Sequence, residues 1–304
     1  MTRVAFLGTP DAAVPTLRAL ASEYEVALVV TQPDRPKGRS DKPVPPAVKE
    51  AASELSLRVA QPSDSAELME ELSSVQPLDA GIVVAYGRIL RTEVLEMADH
   101  GFLNVHFSLL PRWRGAAPVE RALMAGDEMT GVTIILLDEG LDTGPVLTAQ
   151  AIDIPPDDDA GMLTGRLARL GAPLLVTALA RYLGGEIEPQ QQTDDGATYA
   201  EKITRDDRPL SVTGTVSEFV NHVRGLAPDP AATLEIDGQP HKIYRVSPHR
   251  ASPETGRWEA HDGVPVVGAG DGGVALIELQ PPGKNRQAAE DWLRGRQRSG
   301  GTVG

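Results

Sequence analysis

Up to Leu183 the chain alternates two hydrophobic textures. Short unbroken apolar runs at Val4–Leu7, Val26–Val30, Ala80–Ala85, Leu103–Phe107 and Val132–Leu137 read as buried strands. Between them apolar residues return every three or four positions, as at Val14, Leu17, Leu20 and Ala21, predicting helices over 12–22, 48–55 and 66–75, with 57–60 extended. Strands and helices alternating at this spacing predict an α/β unit built on a Rossmann-like, mostly parallel sheet covered on both faces. Asp159 has the chemistry to cap a long helix over 160–183, which Gly184-Gly185 would end.

Past Pro209 the texture changes. One helical stretch over 216–224 is followed by short alternating segments at 232–236, 242–246, 264–268 and 274–279, with Gly and Pro between them. That pattern predicts a smaller, OB-like β-barrel. The Gln-, Asp- and Gly-rich stretch from Glu188 to Ala197 reads as a linker, which divides the chain into a first domain over 1–188, a linker over 189–208 and a barrel domain over 209–304. The tail from Arg294 reads as frayed.

Composition narrows the classes. A chain of 304 residues can bury two cores, and 41% hydrophobic with 24% charged content is that of a soluble protein. No apolar run approaches the roughly 18 residues of a membrane span, and the strand-like start differs from a signal peptide, so the expectation is a cytoplasmic protein. With no cysteine, disulfides, thiol nucleophiles and cysteine-ligated metals are excluded. The net charge of −14 argues against a protein that coats nucleic acid by bulk electrostatics. Its distribution is uneven: residues 1–199 hold 16 basic against 29 acidic side chains, whereas residues 200–304 hold 13 against 14. The last third is therefore the part that a polyanion meets most easily.

The candidate chemistry lies near the middle. Asn104 and His106 stand two apart in a predicted strand, so both side chains point to one face and can converge on one reacting atom. Asp142, between Gly140 and Gly144, reads as a carboxylate aimed by a sharp bend or as a simple turn cap. Ligands of open α/β sheets bind outside the carboxyl ends of the strands, where these residues fall. Gly8-Thr9-Pro10 follows the first strand but lacks G-x-G-x-x-G, so it reads as a plain turn. Asp157 and Asp158, beside the Asp159 cap, read as a solvated turn and as partners of a helix dipole rather than as metal ligands. The loop Pro33–Pro46 carries Arg35, Lys37, Arg39 and Lys42 among five prolines, a composition that suits a solvated, stiffened loop.

Residues 104–118, Asn-Val-His-Phe-Ser-Leu-Leu-Pro-Arg-Trp-Arg-Gly-Ala-Ala-Pro, together with Gly140-Leu141-Asp142-Thr143-Gly144, resemble the folate-dependent formyltransferases. Narrower features are similar to the branch that acts on methionyl initiator tRNA: Arg112–Pro118, Thr31–Arg39 and Tyr199–Ile203. The resemblance runs from Met1 to about Gly283. It implies Asn104, His106 and Asp142 as the catalytic triad and 10-formyltetrahydrofolate as donor. It also implies a folate-lining turn at Ser108, Leu109, Leu110 and Pro111, where backbone amides would hold the pterin, and no metal. Arg35, Lys37, Arg39 and Lys42 would reach the acceptor arm of methionyl initiator tRNA, and the protein would act as a monomer away from membranes. Arg112 and Arg114 stay open between the folate tail, structural ion pairs and the tRNA 3′ end. The chain departs from the family's pattern at Ala12-Ala13, Ser211-Val212, Asp229 and Gln287. Two alternatives stand beside this: formyl transfer to a sugar nucleotide or purine precursor, against which the second domain and basic loop argue, and a folate- or RNA-binding module without catalysis.

Overall fold

The structure is a computed structural model that describes residues 2–36, 42–296 and 298–304. The chain forms two compact units, the first from Met1–Ala116, Thr130–Ile152 and Thr164–Ala200, the second from Ala117–Met129, Asp153–Leu163 and Glu201–Gly304. Each is discontinuous in sequence, because two segments from the middle of the chain belong to the second core.

In the first unit a seven-stranded sheet runs in the spatial order Val146–Asp153, Met129–Leu136, Phe102–His106, Ala80–Val84, Arg3–Gly8, Glu25–Val30 and Val59–Ala60. Pairing is parallel from Phe102–His106 through to Val59–Ala60. Every residue of Ala80–Val84 is buried, as expected of a strand covered on both faces. The departure from the predicted pattern is Met129–Leu136, which lies antiparallel to Phe102–His106. Parallel neighbours need a crossover packed on the sheet. Here the residues that would supply one, including the helix Pro118–Ala125, serve the other unit.

Local chemistry sets the helices around this sheet. The Asp64 carboxylate accepts hydrogen bonds from the Ala66 and Glu67 amides, starting the helix Ser65–Ser73. Asp159 does the same for the long helix Ala160–Leu183 by accepting from the Met162 amide at 2.8 Å. Gly171 on that helix faces Val105, and a Cβ there would come within 2.8 Å of the Val105 side chain. The missing side chain lets the helix backbone approach the strand that carries Asn104 and His106. The turn after the first strand is structural, as its sequence suggests: Ala13 N–H donates to the Pro10 carbonyl, and Thr9 Oγ1 donates to the Tyr86 carbonyl.

In the second unit the helix Pro118–Ala125 packs against Val216–Leu226. The latter opens on a reciprocal cap between Thr215 and Glu218. An antiparallel sheet follows in the order Ala232–Ile236, Gln239–His249, Gly273–Gln280, Val264–Gly268, Arg257–His261, Gly300–Thr302. Its end strands meet. Ile236 bridges Val303, and Glu235 and Gly304 exchange backbone hydrogen bonds at 3.0 and 3.1 Å. The curled sheet encloses Trp258, Phe219, Leu234, Ile243 and Leu276, all buried.

The tail read as frayed is therefore the piece that joins the two edges of the sheet. Asp237 pins it, accepting from Thr302 N–H at 3.0 Å, Trp258 Nε1 at 3.3 Å and the Arg296 guanidinium. Asp158, read as solvated, is instead buried beside Arg224, which donates to the Asp158 carbonyl at 2.9 Å. Among the described residues no helix is long and apolar enough to cross a membrane, and no cluster of three or more His, Asp or Glu side chains could hold a metal.

Candidate active site

Asn104 and His106 sit at the carboxyl end of their strand, paired across to Ile135 and Thr133. The period-two alternation of a strand brings both to the face met by the turn after Met129–Leu136. In that turn Asp142 adopts a φ of 53°, in the left-handed region that costs a side chain energy unless its surroundings hold it. At Gly144 an added Cβ would collide with the Leu136 carbonyl oxygen. The bend anticipated from the flanking glycines is present, and it turns a carboxylate inward.

The three polar groups come together. Asn104 Nδ2 donates to Asp142 Oδ1 at 3.2 Å, and the Gly115 amide donates to Oδ2 at 2.9 Å. His106 Nδ1 lies 3.5 Å from Oδ2, with the imidazole 5% exposed and the carboxylate 12%. An amide nitrogen carries two hydrogens. Asn104 therefore has a second donor beyond the one given to Asp142.

His106 Nε2 lies 2.8 Å from the Trp113 carbonyl oxygen. A carbonyl only accepts, so this contact requires the proton on Nε2. The Trp113 carbonyl thus faces His106 Nε2, while Asp142 faces the opposite nitrogen across a gap longer than a good hydrogen bond.

The turn Ser108–Pro111 follows directly. Ser108 Oγ donates to the Arg112 carbonyl at 2.6 Å, and Thr133 Oγ1 donates to the Ser108 carbonyl while accepting from the Leu110 amide at 3.2 Å. The Leu110 amide is thus already occupied, and Leu109, Leu110 and Pro111 offer half-exposed apolar surface instead.

The two arginines left open by sequence part company. Arg112 stacks its guanidinium over the Trp113 ring, 4.4 Å from the centroid. Arg114 is buried and held by Gln192 Oε1 at 3.1 Å, Asp194 Oδ1 at 3.0 Å and the Thr193 carbonyl. Of the three readings, these contacts fit the structural one. The stretch that supplies these partners, read as linker, is strapped to the first unit through Gln190 with Val146, Thr198 with Trp113, and the short parallel pair Tyr199–Ala200 with Arg114–Gly115.

The basic loop is a hairpin at its base, Arg35–Pro36 pairing with Pro43–Val44. Arg35 and Lys42 are exposed, while Lys37 and Arg39 lie outside the described residues. Lys49 Nζ anchors the base through both Asp34 oxygens and Gln61 Oε1, each at 2.8 Å, and holds the Asp34 carboxyl below its ordinary value.

Comparison with known proteins places this geometry. Residues 2–179 match the family described as formyl transferase, and residues 202–297 match the formyl transferase C-terminal domain. The chain belongs to the formyl transferase family. Within it, the chain is similar to the methionyl-tRNA formyltransferase of Halorhodospira halophila, 46% identical over 97% of this chain and 96% of that one. It is 40% identical to the methionyl-tRNA formyltransferase of Bacillus subtilis, over 100% and 98% of the two chains. Among solved structures, an N-formyltransferase from Helicobacter canadensis, crystallised with folinic acid and dTDP-3-aminofucose, shares the fold at a TM-score of 0.70 and 18% identity, covering 92% of this chain and 100% of that one.

Proposed function

We propose that this chain transfers the formyl group of 10-formyltetrahydrofolate to the α-amine of methionyl initiator tRNA, as a monomer in the cytoplasm. The observation that carries the chemistry is the convergence of Asn104, His106 and Asp142 at one strand end. Similarity to methionyl-tRNA formyltransferases along nearly the whole chain supports this acceptor over a sugar.

When an amine adds to a formyl carbonyl, the carbonyl oxygen gains negative charge. Asn104 has an amide hydrogen to give to that oxygen while its other one stays on Asp142. His106, held at Nε2 by the Trp113 carbonyl, helps carry the proton released by the amine to the departing folate nitrogen through Nδ1, which faces Asp142. Asp142 faces His106 Nδ1 and supplies negative charge and a relay for that proton, directly or through water. Leu109, Leu110 and Pro111 line the folate ring with apolar surface, and buried Ser108 holds the turn that presents them. Arg35, Lys37, Arg39 and Lys42 grip acceptor-arm phosphates, and the near-neutral last third of the chain lets the polyanion approach.

Single-turnover transfer of labelled formyl, run with charged initiator tRNA, an amino-sugar nucleotide and water as competing acceptors, tests this reading. The tRNA amine should win by orders of magnitude. Faster transfer to the amino sugar would overturn the acceptor, and no transfer to any of them would leave only a binding module.

A further inference from the structure

Three hydrogen bonds of one glutamine tie the turn that carries Asp142 to the segment that touches His106. Gln192 Nε2 donates to the carbonyl oxygens of Asp142 at 2.9 Å and Gly144 at 2.7 Å. Its Oε1 accepts from Arg114 Nε at 3.1 Å. Arg114 is flanked in sequence by Trp113, whose carbonyl meets His106, and by Gly115, whose amide meets Asp142. A closed loop of contacts results, running from His106 through Trp113, Arg114 and Gln192 to Asp142 and back through Gly115.

We propose that Gln192 is a positioning residue for Asp142, and that Arg114 acts behind it by holding its amide in register. The inference rests on the assignment of Asp142 to catalysis made above. The chemistry selects glutamine: both hydrogens and the oxygen of one primary amide are used, and no other side chain of that length offers two donors and an acceptor at its tip. A residue in a passive linker would leave those groups to water. Gln192 is half-buried, and its neighbours are strapped down by the Gln190–Val146 bridge on one side and the Thr198 contacts on the other. The bonds to the carbonyls of Asp142 and Gly144, on either side of Thr143, hold Asp142 at its left-handed φ, a conformation that an isolated aspartate rarely adopts. Without them the carboxylate would be free to leave Asn104 and Gly115, and a displacement of about 1 Å at a reacting centre can cost on the order of 10²-fold in rate.

The test uses the full chain and the two natural substrates. In Gln192→Glu the oxygen facing Arg114 is kept, but the two donors become an acceptor set against two carbonyls. Its kcat should fall about 10- to 100-fold, with KM for charged tRNA and for the folate donor within about 3-fold of wild type. Gln192→Ala, which needs no buried charge, should lose kcat in the same way and serves if the glutamate variant folds poorly. Thermal midpoints and folate binding verify folding. In the Asp142→Asn background the Gln192 substitutions should cost less than about 3-fold, because residues acting through one group are non-additive.

Wild-type kcat in folded Gln192→Ala would overturn the proposal, as would a full, additive loss in the Asp142→Asn background. If Asp142→Asn itself keeps wild-type kcat, the catalytic reading of Asp142 fails and this inference with it. A slow Asp142→Asn beside a fast Gln192→Ala removes the inference alone.

Discussion

The turn that carries Asp142 and the hairpin that begins at Arg35 are held in opposite ways. Both carboxylate oxygens of Asp142 and its backbone carbonyl have protein partners, in Asn104, Gly115 and Gln192. The hairpin has strands of only two residues, its described cations are exposed, and its firm anchor lies at its base, where Lys49 meets Asp34 and Gln61. A group that stabilises a transition state must be fixed to a fraction of an ångström, because correcting its position during reaction costs rate. A side chain that meets a phosphate needs reach and charge more than a fixed position. Substitutions should separate the two regions: one should change kcat, the other the salt dependence of binding.

The largest effect is expected at Asp142. In Asp142→Asn one of the two donors, Asn104 Nδ2 or Gly115 N–H, must face another donor, and the negative charge opposite His106 is lost. kcat should fall roughly 10²- to 10⁴-fold with both substrates still bound. Asn104→Ala and His106→Ala should each lose about 10²-fold or more with folate affinity nearly unchanged. Steady-state kinetics on folded variants decide this, and a wild-type rate in Asp142→Asn would reduce the turn to a structural bend.

The next effect belongs to the hairpin. Replacing Lys37, Arg39 and Lys42 together by alanine should raise KM for charged tRNA and flatten the slope of log K against log salt by roughly 1 to 3, leaving folate binding and kcat at saturation in place. An unchanged slope would return the hairpin to a solvated, proline-stiffened loop.

The smallest effect is a control on both. In the second unit the Arg121 guanidinium and the Thr204 amide hold the Asp207 carboxyl down at about 2. A carboxylate whose pKa is lowered by folding contributes stability above its unfolded value of about 4 and loses it as pH falls through the folded value. Urea unfolding should therefore show Asp207→Asn less stable than wild type by a constant margin above pH ~4, with the gap closing between pH ~4 and ~2. Single-turnover formyl transfer at neutral pH should be little changed, since this pair touches neither region compared above. A gap that widened on acidification would contradict the lowered pKa.

Much of this was legible in sequence because the information is periodic or local. Unbroken apolar runs revealed the parallel strands, and the i, i+2 spacing placed Asn104 beside His106. Asp142 could be suspected from two flanking glycines, though only the backbone shows its φ. Three things were hidden for physical reasons. The orienting partner of His106 is a backbone carbonyl, which any residue at position 113 would supply. Gln192 sits in a run of glutamines whose composition is that of a solvated linker, and only its three hydrogen bonds distinguish it. The closing strand Gly300–Thr302 is glycine-rich and short, so it has no alternation to read; its pairing comes from Arg257–His261. The antiparallel direction of Met129–Leu136 was not legible, because an apolar run does not depend on which way the chain passes through the sheet.

The discontinuity of the second unit has a consequence for how the chain is made. The helix Pro118–Ala125 is synthesised well before its packing partner Val216–Leu226, and Met124 waits for a core that includes Phe219, Trp258 and Val303. At about 5–20 residues per second, roughly 180 residues of elongation separate the helix from the closing strand, a delay of about 10 to 40 s. Through that interval the nascent chain shows an apolar helical face with its sheet strands on either side in sequence. A ribosome stalled before Val216 would hold out a client surface for a chaperone, and one stalled after Leu226 would already have covered part of it.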